Sequence, residues 1–560
     1  MSLRAVPILT LVLLLGPVLA GLAGTLAPAF GVLPVIGRVE PGLDAFASLF
    51  GWPGLPAAMR LSLVAGLGSA VLSLGIVTLL VACWSGTRSF AAFRRLLSPL
   101  LSVPHAAAAF GLVFLIAPSG LIVRALSPWA TGWTQPPDLL IVQDGAGLSL
   151  MVGLVVKEVP FLLLMTLAAL GQADATRAEA VARSLGHDRP AAWLKAVFPR
   201  VYTQIRLPVL VVLAFSMTVV DVALILGPNT PPTLAVQIVR WMNDPDLAMR
   251  LQGAAAATLQ LALVIGALGL WWLGERVVAR LGRAWVWSGL RGAGARATGA
   301  VALVLAGLTA AAVLAGLGVL AVWSVAGFWR FPELWPDAIT LRNWMRHWPG
   351  VADALGDTVA IACVATAIAL ALAIGCLEAE HRHGLRMRAR GQWLLYLPLL
   401  APQVAFLPGV QTWMLILGVK GGVGAVVAVH VLFVFPYVFL SLGDPFRAWD
   451  SRQATVAQSL GAGPGRVLWA VRLPMLLAPV LTAAAVGLAV SVGQYLPTLL
   501  IGGGRVQTVT TEAVALASGG DRRAIGVWAL VQTGLALLPF ALAIGLPRLA
   551  WRNRKGMQHG

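Results

Sequence analysis

The sequence predicts an all-α integral membrane protein, about twelve transmembrane helices arranged as two homologous six-helix halves. Three observations predict it. Apolar residues make up 59% of the 560 and charged residues only 11%, against roughly 45–50% and about 25% in soluble domains. The apolar residues gather in stretches close to the roughly 20 residues a helix needs to cross the hydrocarbon core. The string EAVARSLGHDRPAAWLKAVFP, from Glu179 to Pro199, recurs as ATVAQSLGAGPGRVLWAVRLP from Ala454 to Pro474, 275 residues later, with Ser-Leu-Gly and the final Pro in register.

The first series of stretches covers about 6–27, 58–82, 97–117, 148–170, 207–227 and 251–273, and the second about 300–326, 353–377, 392–418, 424–443, 476–500 and 525–548. Period-two alternation is absent, so helices rather than a barrel satisfy the backbone in lipid. The first stretch, after Arg4, exceeds the core of a secretory signal and completes the six-plus-six count, so it is expected to be retained as a helix. Pro160, Pro398, Pro402, Pro408 and Pro436 fall within apolar stretches and allow kinks. Cys83, Cys363 and Cys376 lie in or beside such stretches without metal-ligand spacing, and they read as packing residues.

The net charge of +18 invites a nucleic-acid reading, but its distribution excludes one. With the N-terminus placed in the cytoplasm, 27 of the 40 Lys and Arg fall on inner loops and tails. That is the positive-inside signature of topology, and it predicts cytoplasmic termini.

The halves divide as 1–273 and 299–560, joined by a basic cytoplasmic linker at 274–298, GERVVARLGRAWVWSGLRGAGARAT, with Trp285 and Trp287 expected at the headgroup boundary. The repeat extends past the opening motif. Ser216 to Gly227 matches Ser491 to Gly502 at the same offset of 275, and Pro160 matches Pro436 at 276. Six helices per half give the copies parallel topology, related by an axis along the membrane normal, with a cavity between the halves. The Trp- and Pro-rich outer loops near Trp129 and Trp329 read as an aromatic belt.

The motif itself has helix-turn-helix chemistry. Arg177 to Leu185 has helical composition, and Gly186 suits the left-handed conformation that ends a helix. Asp188, Arg189 and Pro190 then signal a second short helix, carrying Trp193 and Val197 on one face and running to Pro199. The second copy follows the plan with Gly461, Gly463 and Pro464, then Leu468 and Arg472.

No G-x4-G-K-[ST] phosphate loop is present, and no carboxylate pair, His cluster or nucleophile elbow is placed for catalysis. His105, His347, His381, His383 and His430 are scattered. Polar groups within the bilayer are functional candidates by default. Lys157 and Glu158 fall in the fourth stretch, Asp221 in the fifth, and Gln494 with Tyr495 in the eleventh. Lys157 and Glu158 point about 100° apart on a helix. Asp221 either pairs with Lys157 structurally, or these residues border a translocation path.

The spacing of Glu179, Ala180, Gly186 and Pro199 resembles the EAA loop of permease subunits of ATP-binding-cassette (ABC) importers. In the second copy Gly461, Leu473 and Pro474 match, but Ala454 stands where that family usually has Glu. The resemblance covers both halves, with loops at 177–200 and 452–475. It implies a type I importer permease fold, in its double-length form, most similar to permeases of the ferric-iron and thiamine type. It implies coupling helices at 187–195 and 462–470, including His187, Asp188, Ala462 and Gly463, seated in clefts of two cytoplasmic ATPase copies. ATP and Mg would belong to those ATPases, with no cofactor or metal on this chain. A periplasmic binding protein would deliver a small solute, a thiamine-like compound or ferric iron, across a bacterial inner membrane. The departure at Ala454 implies that the two loops engage unequally. The rival reading is an ion-coupled secondary transporter, which needs midplane acids, here only Glu158 and Asp221, and leaves the twinned motif unexplained.

Overall fold

A computed structural model describes residues 3–292, 294–384 and 389–550. The termini, expected in the cytoplasm, end in residues 1–2 and 551–560, outside the described residues. No strand occurs among the described residues, apart from two isolated β-bridges. In the first half the main helices are α1 (Ala5–Ala29), α2 (Leu55–Trp84), α3 (Arg88–Ser102), α4 (His105–Ile116), α5 (Leu148–Gln172), α6 (Ala175–Ser184), α7 (Arg189–Ala192), α8 (Phe198–Thr218), α9 (Asp221–Leu226) and α10 (Met249–Trp287). The second half supplies α11 (Ala295–Val325), α12 (Arg342–His383), α13 (Ala389–Leu400), α14 (Gln403–Ile416), α15 (Val423–Ala448), α16 (Arg452–Ser459), α17 (Pro464–Arg466), α18 (Leu477–Val492), α19 (Leu496–Gly502) and α20 (Arg522–Ala550). Shorter helices in the connections are left unlabelled.

Among the described residues ten helices are long and apolar enough to span a bilayer, and a pair bent by 79° at Leu476 makes an eleventh. The remaining expected passage, 392–418, is divided between α13 and α14, which separate at Ala401 and Pro402. Proline there removes a donor and clashes with the preceding turn, so one long helix becomes two short ones. The same division appears at Val103 and Pro104, between α3 and α4. The expected fifth and eleventh stretches are also interrupted. α8 stops at Thr218 before α9, and α18 stops at Val492 before α19. The two halves therefore break their helices at related places.

The linker differs from its expected form. Glu275, Arg276, Ala279, Arg280 and Leu281 are good helix formers, and α10 runs on through them to Trp287. Its 39 residues span about 58 Å at 1.5 Å per residue, nearly twice the hydrocarbon thickness. Only the short stretch from Ser288 to Gly294 lacks helix, with Ala293 outside the described residues.

Each half lends its first helix to the other. α1 packs against α12, α13 and α14 of the second half, and α11 packs against α2, α4 and α5 of the first. Glycines permit both crossings. A Cβ on Gly409 of α14 would overlap the carbonyl oxygen of Gly21 on α1. A Cβ on Gly111 of α4 would lie 2.9 Å from Cα of Gly316 on α11. Gly316 lies 295 positions after Gly21, and Gly409 lies 298 after Gly111, so these are two copies of one contact. In lipid, where apolar burial gives no advantage between helices, such close backbone approach supplies the packing energy. Trp413 Nε1 adds a 2.8 Å hydrogen bond to the Ala20 carbonyl at the first crossing.

Candidate functional site

Successive passages put both motif loops on one face of the bundle. In the first loop α6 ends at Gly186, whose φ of +86° is the left-handed turn that only glycine adopts cheaply. Asp188 then caps α7, its carboxylate accepting the Ala191 N–H at 2.9 Å. Glu179 on α6 faces Arg189 at 3.7 Å, and Arg189 also donates to the Ser85 hydroxyl at 3.3 Å, tying the loop to the end of α2. Trp193 and Val197 share one face, as their four-residue spacing predicts, but that face is buried in this chain with Ala191 and Ala192 and is not free to enter a partner's cleft. Ala180, Pro199 and most of the α6 surface face outward.

The second short helix does not stop at Pro199. It passes through a widened π-type turn, Trp193–Val197, straight into α8. Proline offers no N–H to the carbonyl four residues back and its ring crowds it; a turn that reaches five residues back relieves the crowding. The second copy repeats this, with a π-type turn at Val467–Arg472 ahead of Pro474. Here the chain bends at Leu476 instead of continuing.

The second loop turns at Gly461 with φ +82°, but Gly463, the counterpart of Asp188, has no side chain to cap α17. Ala454 is buried, filling with a methyl group the place where the first copy carries Glu179. The anchoring moves elsewhere. Arg472 Nη1 donates to Glu378 Oε2 on α12 at 2.6 Å, and Arg382 donates to Glu378 Oε1 at 2.6 Å and to the Pro464 carbonyl at 3.0 Å. The Arg472 guanidinium also lies 4.2 Å from the Trp449 ring centroid, within cation–π range. Where the first copy buries Val197, the second buries a cation. The motif spacing places Arg472 on one face with Leu468 but does not reveal Glu378; the Glu378 and Arg382 pair at helical spacing was the available signal.

Both loops present the same outward tips. Val181 and Leu185 are 56% and 65% exposed, and their counterparts Val456 and Leu460 are 57% and 83% exposed. A cleft of about 680 Å³ opens beside the first tip, lined by Arg177, Val181, Leu185, Lys195, Pro199 and Arg200 among others. His187 and Ala462 sit half-buried at the two turns.

The bilayer polar residues separate into two groups. Lys157 and Glu158 are buried, and Lys157 does not pair with Asp221. Its ammonium donates to the carbonyls of Leu100 and Val103, at 2.9 and 2.6 Å. Those groups end α3, where unpaired carbonyls and the negative end of the helix dipole favour a cation. Asp221, half-buried, opens α9 at the first-half break. Gln494 and Tyr495 occupy the corresponding break between α18 and α19, and Tyr495 lies within electrostatic range of Asp221. Lys157 is thus held at the end of α3, away from the two breaks. His430 on α15 was missed as part of this region. Its ring nitrogens contact the Ser491 hydroxyl at 2.8 Å and the Thr498 hydroxyl at 2.9 Å, bracing the second break from both sides.

Comparison with known proteins agrees with this architecture. A family model described as the binding-protein-dependent transport system inner membrane component matches residues 367–546. The inner membrane ABC transporter permease protein YnjC of Escherichia coli is 34% identical over 551 residues, 98% of each chain. The putative 2-aminoethylphosphonate transport system permease protein PhnV of Salmonella choleraesuis is 27% identical over 243 residues, 90% of its own length but 43% of this chain. The molybdenum transport system permease protein ModB of Mycobacterium bovis is 30% identical over 190 residues, 30% of this chain and 70% of ModB. Nine-tenths of PhnV fits within less than half of this chain, as a duplicated unit requires. The chain belongs to the ABC permease family of binding-protein-dependent transport systems, as a fused, double-length member.

Proposed function

We propose that this chain is the whole membrane pathway of an ATP-driven importer, with its two motif loops as seats for two copies of a cytoplasmic ABC ATPase. The observation that carries this is the pair of matched apolar tips, Val181 with Leu185 and Val456 with Leu460, exposed on one face at the ends of stiff turns. Exposed apolar residues rimmed by charge mark interaction sites. After each glycine turn a π-type turn leads to the next helix, straight into α8 in the first copy and through the bend at Leu476 to α18 in the second, so a push on either loop reaches the helices beside the breaks. This chain makes no covalent change; ATP hydrolysis, with ATP and Mg, is assigned to the partner.

On this reading the loop face is cytoplasmic, both termini lie there, and the membrane is the bacterial inner membrane. A periplasmic binding protein would deliver solute to the opposite face. Asp221, Gln494 and Tyr495 would border the path at the interrupted helices. A thiamine-like compound or ferric iron is the cargo implied by the motif resemblance. The relatives' names refer to other solutes, so the scaffold supports import of a small solute more strongly than any one cargo. Reconstitution with the ATPase and binding protein is the test. Uptake that requires ATP supports the reading; uptake driven by an ion gradient without the ATPase replaces it with secondary transport.

A further inference from the structure

We propose that linker residues 287–291 form one side of the first ATPase seat, so that the two ATPase copies meet different surfaces. This rests on the reading of the motif loops as ATPase seats. The linker does not hang free between the halves. The Asp188 N–H donates to the Arg291 carbonyl at 3.0 Å, and Lys195 Nζ donates to the Leu290 carbonyl at 2.6 Å. The same ammonium lies 4.6 Å from the Trp285 ring centroid. Gly292, at φ +97°, packs so closely that a Cβ there would overlap the Asp188 carboxylate. Both of the residues that hold the linker, Asp188 and Lys195, belong to the first loop's own turn and short helix.

The two hydrogen bonds use the linker backbone and leave the Trp287 and Leu290 side chains outward. Trp287 is 86% exposed and Leu290 62%, and Lys195, which holds the Leu290 carbonyl, lines the same cleft as Leu185. Arg177 and Arg200 line the cleft beside Leu185, and the Arg291 side chain lies against Gly186. The composite therefore suits a protein cleft with an apolar floor and a carboxylate rim, large enough to take a helix-turn and the adjoining linker segment. At the second loop the position of Asp188 is Gly463, and a Cβ on Gly461 would meet nothing within 4 Å. Among the described residues no segment covers that turn. Aromatic residues at an interface contribute disproportionately to binding, and the two loops place theirs differently: Trp287 reaches the first from the linker, whereas the second exposes Trp469, at 70%, on its own short helix.

The test places the photocrosslinker p-benzoylphenylalanine at Leu185, Leu290 or Leu460 of the full chain, co-expressed with the ABC ATPase of the same gene cluster. Adducts with the ATPase are expected from all three positions. Gly292→Val pushes the linker off Asp188 and should abolish most of the Leu290 adduct while leaving that from Leu460 unchanged. Adducts at Leu185 and Leu460 but none at Leu290 overturn the linker's role and leave the seats intact. A Leu290 adduct insensitive to Gly292→Val overturns the composite surface. Absence of adducts at all three positions overturns both the seat reading and the inference.

Discussion

Arg472 donates to Glu378 across 2.6 Å with both side chains nearly sealed from solvent, 2% and 5% exposed, joining the second motif loop to the end of α12. A charge buried in this way costs several kcal/mol unless its partner stays in place, and removing one partner of such a pair typically costs about 3–5 kcal/mol. The two partners are not equivalent. Glu378 keeps Arg382 when Arg472 is removed, whereas Arg472 loses its one carboxylate when Glu378 is removed. Glu378→Gln should therefore destabilise more than Arg472→Met. Thermal unfolding of the purified chain in detergent checks the order, and equal losses from the two variants would show that Arg382 does not compensate.

Gly409 and Gly111 hold related crossings with different clearance. A methyl group at Gly409 meets the Gly21 backbone, which cannot rotate away, while one at Gly111 meets Gly316 at 2.9 Å. Forcing extra volume into a close-packed contact costs typically 1–3 kcal/mol. Gly409→Ala should lie at the upper end of that range and Gly111→Ala below it. A cysteine pair engineered across α1 and α14 should also crosslink less well in the Gly409→Ala background. Unchanged melting temperature and crosslinking in Gly409→Ala would show that the crossing relaxes freely.

The sequence states the duplication openly because the motif is a local pattern: a glycine at each left-handed turn and a proline ahead of each following helix. The number and order of the apolar passages were legible for the same reason, being runs of apolar side chains, but their ends were not: α10 runs to Trp287 against an expected 273, and α12 begins at Arg342 against an expected 353. What it hides is which half a helix serves. Nothing in the apolar run 5–29 says that it packs on α14, because Gly21 meets Gly409 through backbone approach across 388 positions of chain. A Lys157–Asp221 pair is one of two readings the sequence offers, because unlike charges are visible in it, whereas the carbonyls of Leu100 and Val103 that accept from Lys157 are backbone groups exposed by a helix break. The inequality of the two loops was legible at Ala454. Its structural substitute, Glu378 with Arg472, became visible only when α12 was placed beside the loop.

The two loop glycines offer a direct comparison of the seats. Both sit at φ above +80°, which proline's ring, fixed near −65°, excludes. Gly186→Pro and Gly461→Pro should each break one turn while leaving insertion intact, since neither lies in a spanning helix. ATPase co-purification is expected to fall in each, and more in Gly186→Pro, because the Asp188 and Lys195 contacts to the linker depend on that turn. Retention of full ATPase binding and transport in both variants would remove the loops from the coupling path.

Lys157 and Asp221 are expected to respond oppositely to neutralisation. Lys157 is buried and holds two carbonyls at the end of α3. Lys157→Met leaves those acceptors without a donor in a dry environment, a cost of about 1–3 kcal/mol, and also leaves the neighbouring Glu158 without a countercharge. The loss should appear as lower thermal stability and reduced yield of folded protein. Asp221 is half-exposed, opens a short helix at a break and has no ion-pair partner among the described residues. Asp221→Asn preserves shape and should change stability by no more than about 0.5 kcal/mol, while altering uptake in reconstituted vesicles, either its KM or its maximal rate. A chain with Asp221→Asn that transports normally would remove this residue from the path. A stable Lys157→Met variant with lost transport would move the path to the other side of the bundle, toward α3 and α5.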